Sequence, residues 1–165
     1  MQQQPTSFRR DFNWQEGYLP EVQRILLANA TFLFTVSIAS WQQDVKQATD
    51  MTITTGGKPK AIGVRLRRAE YGYRDMTVRA NRTSGAKTEL EKIMSGMGDA
   101  YLYGWTNGMH ISEWMLIDLN RLRASGLLQS APVRHNKDHQ TSFIAIPYRT
   151  LRQYGCVLNA NVRAA

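Results

Sequence analysis

The stretch from Asp50 to Lys92 constrains the fold more than any other, because three β-rich runs and a helical run follow one another there with little slack. Asp50-Met-Thr-Ile-Thr-Thr55 has the β-branched content of a strand, and Gly56-Gly57-Lys58-Pro59 supplies turn chemistry. Ala61-Ile-Gly-Val-Arg-Leu-Arg67 is the returning partner, so the two runs read as a β-hairpin. Side chains two apart on a strand share a face, which puts Arg65 and Arg67 side by side. A third strand is expected over Asp75-Met-Thr-Val-Arg-Ala80. After it a helix is expected, with Ser84 as N-cap and Leu90, Ile93, Met94 and Met97 on one face.

The flanking segments supply the rest of an α/β domain. Pro20 to Ala28 reads as a helix with proline in its first turn, where the missing amide donor costs nothing, and Val22, Ile25, Leu26 and Leu27 form its apolar stripe. Phe32 to Ile38 has the apolar, β-rich character of a strand covered on both sides. Trp41 to Gln47 is a polar connection carrying Asp44, a further carboxylate to weigh. Downstream, strands are expected over Ala100–Trp105, His110–Ile117 and Thr141–Ile146, with a charged loop over Arg134–His139. Asp118 can cap a short helix to Arg123, and Pro147 starts a last one that ends at Gly155. Residues 1–17 are polar and Gln-rich and read as a tail; residues 18–165 read as one domain.

An acid opening one strand of a hairpin, with a basic residue about fifteen positions later on the next, resembles the core of the PD-(D/E)XK nuclease superfamily. Ala48-Thr-Asp50, Val64-Arg-Leu-Arg-Arg68, Ser84-Gly-Ala-Lys-Thr-Glu89, Gly98-Asp99 and Trp114-Met-Leu-Ile-Asp118 are similar to small phage and prophage proteins of that type. The likeness spans roughly residues 20 to 155. It implies a restriction-endonuclease-like mixed β-sheet flanked by helices, within the α/β class. It also implies phosphodiester chemistry with Mg²⁺ as cofactor. Asp50 matches the superfamily's acid. Gly63 stands where a Glu or Gln is usual, and Arg65 stands where the Lys is usual.

Composition agrees with a polyanionic partner. Against 13 acidic residues there are 21 Lys and Arg, a net charge of +8. One cysteine, Cys156, leaves no intramolecular disulfide and no cysteine-based zinc site. The N-terminal residues lack the pattern of a signal peptide, and no apolar run nears the roughly 20 residues a bilayer needs. The expectation is a protein of the bacterial cytoplasm with no membrane partner.

Metal-assisted phosphodiester hydrolysis needs oxygen ligands for the ion and a cation at the phosphate. The resemblance therefore implies Asp50 and Glu89 as Mg²⁺ ligands, with Arg65 and Lys87 as the cations of the catalytic set. Glu89 has a plainer reading, favouring the positive end of a helix or pairing with Lys92 or Lys87. Arg65 has one too, a salt bridge to Asp50. Arginine is permanently charged and grips phosphate, but it is no neutral base. Arg67, Arg68, Arg79, Arg82 and Lys87 accumulate in the same segment and read as contacts for nucleic-acid phosphates, most naturally those of DNA. His135 and His139 have i, i+4 spacing but no evident third ligand. Two functions stand: a phage-type, Mg²⁺-dependent nuclease, or an inactive nuclease-fold protein that binds DNA or a host or phage protein as an inhibitor or assembly factor would.

Overall fold

The computed structural model describes residues 14–29, 34–38, 51–55, 58–82, 87–136 and 141–163. Asp50, Asp44, Ser84 and His139 lie outside the described residues, as do the hairpin turn at 56–57 and most of the tail. Helix α1 (Leu19–Ala28) precedes three strands, β1 (Phe34–Ile38), β2 (Met51–Thr55) and β3 (Lys58–Arg68). These pair in sequence order and antiparallel, with Met51 opposite Ile62. After β4 (Asp75–Arg82) and α2 (Glu89–Met94) the chain returns to the sheet as β5 (Ala100–Thr106), parallel to β3. Strands β6 (Ile111–Asp118) and β9 (Val157–Asn161) complete six strands in the order β1-β2-β3-β5-β6-β9.

The third strand of the central block is not part of that sheet. β4 leaves it after a 3-10 turn over Ala69–Tyr71 and pairs with β8 (Thr141–Pro147), which pairs in turn with β7 (Val133–His135). The architecture is a mixed six-stranded sheet and a separate antiparallel three-stranded sheet, with helices about them. Helices α3 (Leu119–Ala124), α4 (Leu127–Ser130) and α5 (Tyr148–Gln153) connect the later strands.

The large sheet is covered on both faces, which explains why β5 is buried at every position. On one face Ile62, Val64, Leu66, Leu102 and Ile111 meet Val22 and Leu26 of α1. On the other, Tyr101, Tyr103, Trp105, Met115 and Ile117 meet Met76, Val78, Ile144 and Ile146 of the small sheet and Ile93, Leu122 and Leu151 of the helices. Leu27, read as part of the α1 stripe, is half exposed. Residues 14–17, at the end of the polar tail, dock on the sheet: Trp14 packs edge-on to Tyr18, and the Gln15 amide bonds Val64 O and Leu66 N. That amide satisfies backbone groups of β3 beyond the end of β2.

Helix α2 begins at Thr88, not Ser84. The Thr88 hydroxyl accepts from the Glu91 amide while the Glu91 carboxylate accepts from the Thr88 amide, a reciprocal capping box. At its other end Arg123 donates to Ile93 O, Met97 O and Gly98 O. Arg123 is thereby a C-terminal cap of α2. The capping role of Asp118 holds, through the amides of Asn120 and Arg121. Among the described residues no helix is long and apolar enough to cross a membrane.

Candidate nucleic-acid interface

Strand alternation decides what β3 can present. Ile62, Val64 and Leu66 fill the α1 face, so Arg65 and Arg67 are turned toward the small sheet. Two guanidinium groups at the margin of an apolar layer need counter-charges, and the strand and helix that leave the sheet supply them. Arg65 Nη1 donates to Glu89 Oε2 at 2.7 Å, and Arg67 Nη1 donates to Asp75 Oδ1 at 3.1 Å. Side-chain exposure is 33% for Arg65 and 14% for Glu89, so this pair is only partly in solvent. The Glu89 carboxylate raises the Arg65 pKa further above its ordinary value, against the opposing effect of burial.

Glu89 does more than pair with arginine. Its Oε2 also accepts the backbone amide of Arg79 at 3.1 Å, and its Oε1 accepts the Tyr101 hydroxyl. One carboxylate thereby joins α2 to β3, β4 and β5. Farther along the same seam the Tyr103 hydroxyl bonds Thr77 Oγ1 at 2.8 Å, and Arg74 bonds Glu113 with its guanidinium over the Trp105 ring. Polar pairs thus close the seam where the two sheets meet, while apolar side chains fill the layer behind it.

Beside this seam a groove of about 220 Å³ opens, lined by Arg65, Leu66, Arg67, Thr77, Arg79, Asn136, Ser142 and Phe143. Three arginines on two strands converge there with two hydroxyls and an amide. Charge-assisted donors of this kind recognise phosphate oxygens, and a guanidinium can bind them through two parallel N–H groups.

Of the predicted phosphate contacts the structure brings Arg67 and Arg79 together, beside Arg65 of the predicted catalytic set, which it joins directly to Glu89. Arg68 is turned the other way, its guanidinium over the Trp14 ring at 5.8 Å, because it follows Arg67 by one residue on the strand. It does not share a surface with Arg67. Lys87 is exposed two residues before Glu89 but does not line the groove. The backbone of Arg82 pairs with Thr141; its side chain is outside the described set. His135 is exposed on β7, within the segment expected to be a loop.

The donor set does not fit Mg²⁺ at Glu89. A guanidinium 2.7 Å from Oε2 holds the place a cation would take, and the remaining contacts of this carboxylate are hydrogen-bond donors. Among the described residues no group of three or more His, Cys, Asp and Glu could hold a metal ion. Glu89 also stands in the first turn of α2, the positive helix end weighed for it, and it forms an ion pair with Arg65.

Several groups at this interface escaped the sequence reading. Asp75 was readable in principle, since an acid opening a strand eight residues after Arg67 follows a tight reversal. Tyr101, Thr77, Ser142 and Phe143 carry no such signal; their roles come from sheet register alone. The chain matches no protein-family model, no curated protein and no solved structure.

Proposed function

We propose that the protein binds nucleic acid through its phosphate backbone at the arginine-lined groove, as a nuclease-like fold used for binding rather than cleavage. The observation that carries this reading is the convergence of Arg65, Arg67 and Arg79 on one groove of a chain with net charge +8. Glu89 and Asp75 act as struts. Each holds an arginine through one nitrogen and aims it along the seam. Phosphate contacts of this type position a strand without reading its sequence, so binding is weakly specific and salt-sensitive.

A PD-(D/E)XK relationship is part of the same proposal. It is supported by a strand that precedes the β2–β3 hairpin and by the helix α2 that follows before the return to the sheet. The Mg²⁺-dependent nuclease reading makes Asp50 and Glu89 metal ligands, and the hold of Arg65 on Glu89 counts against it.

Incubation of the purified protein with labelled DNA and RNA, in Mg²⁺, Mn²⁺ or chelator, tests the reading. The expected result is binding that survives chelator, weakens with salt and leaves the strands intact. Metal-dependent cutting that is lost in both Asp50→Ala and Glu89→Gln would overturn it in favour of the nuclease. Failure of DNA and RNA alike to bind would point to a protein partner instead.

A further inference from the structure

The groove has an aromatic floor that phosphate binding does not explain. Phe143 of β8 lies opposite Arg79 of β4 on one side and Arg134 of β7 on the other. Residues directly opposite on neighbouring strands share a face, and each arginine Cα is about one strand spacing, ~5 Å, from that of Phe143. Phe143 therefore has an arginine opposite it on each neighbouring strand, and of the two Arg79 lines the groove with it. Its neighbours Ile144 and Ile146 are fully buried in the core, whereas Phe143 is only partly buried and belongs to neither apolar core. Burial of hydrophobic surface in the fold does not account for its place in the groove.

We infer that the groove takes unpaired nucleic acid, with one base stacked on Phe143 and the flanking phosphates on the arginines beside it. The inference rests on the phosphate-binding reading above and narrows its ligand to a single strand. A duplex keeps both faces of each base covered by its neighbours, so an aromatic ring gains no stacking from it. A single strand can turn a base out onto the ring, and its phosphates then fall on either side. Asn136 lines the same groove, is exposed, and offers its amide oxygen to the base edge. Stacking tolerates any base, so little sequence preference accompanies it.

Fluorescence anisotropy at low salt separates stacking from charge with three probes of equal length: an oligothymidine, a duplex, and a strand of abasic deoxyribose phosphates. Oligothymidine is expected to bind most tightly. Phe143→Leu, which keeps an apolar side chain, should weaken it about tenfold, the size of one lost base stack. The same variant should bind the abasic strand as wild type does, which also reports that it is folded, and Phe143→Trp should retain oligothymidine binding. The inference is overturned if the duplex or the abasic strand binds as tightly as oligothymidine, or if Phe143→Leu leaves oligothymidine unchanged or weakens all three probes alike. In those cases the phosphate reading still stands. If none of the probes binds, both fall together.

Discussion

Arg65 occupies a strand position whose immediate neighbours, Val64 and Leu66, are core residues, and its charge is tolerable there only because Glu89 meets it. The pair is charge-assisted, and its carboxylate also holds the Arg79 amide and the Tyr101 hydroxyl. Glu89→Gln should therefore destabilise the protein by about 1–3 kcal/mol in urea unfolding. That is less than a fully buried pair would lose, since Arg65 keeps a third of its exposure. A carboxylate placed to receive a metal would behave in the opposite way: its amide variant would be at least as stable as wild type. The common face of Arg65 and Arg67 was legible from their spacing. The partner of Arg65 was not, because Glu89 is 24 residues away and reaches Arg65 only after the chain has passed through a different sheet. Phe143 was read simply as part of an apolar strand, since nothing in a period of two tells a core position from a groove position at a sheet margin.

Among elements, β4 departs furthest from expectation. Its sequence marks it as a strand, with apolar Met76 and Val78 alternating with Thr77 and Arg79, although Thr77 is itself buried beside Tyr103. Periodicity gives no information about which strand it pairs with, and β4 pairs across 68 residues, Thr77 with Ala145, rather than with the hairpin before it. β7 and β9 were missed for a related reason: Val133–His135 is exposed throughout and Val157–Asn161 is mostly exposed, so neither shows alternation. In the connection from α2 into β5, Gly98 and Asp99 are both used structurally. Asp99 accepts from the Ala61 amide at 2.8 Å, pinning the start of β5 to β3, and Gly98 adopts a φ of 76° with its carbonyl bonded to Arg123. A Cβ at Gly98 would lie 2.9 Å from Leu119 Cδ1. Gly98→Ala should cost about 1–2 kcal/mol from the backbone alone, and more from that contact. Gly96→Ala, at a φ of 91° with nothing near its Cβ, should cost only the backbone term. Equal losses of stability in the two variants would show that the Leu119 contact is relieved without cost.

At the scale of the whole molecule, apolar layers bind the helices to the large sheet, and a seam of ion pairs and hydroxyls joins that sheet to the smaller one beside an arginine-lined groove. The α/β class and the cationic balance were evident in the chain; the division into two sheets, which creates the groove, was not. Arg24 gives a natural reference, since it is exposed on α1, across the large sheet from the groove, and pairs with Glu21. The most direct test is the slope of log affinity against log salt concentration for oligothymidine, measured for wild type, Arg67→Ala, Arg79→Ala and Arg24→Ala. Each phosphate contact contributes close to one unit of slope, about 0.7 on a single strand. The groove predicts that Arg67→Ala and Arg79→Ala each flatten the slope by about that amount while Arg24→Ala leaves it unchanged. Slopes that are the same in all four proteins, or that flatten only in Arg24→Ala, would contradict it.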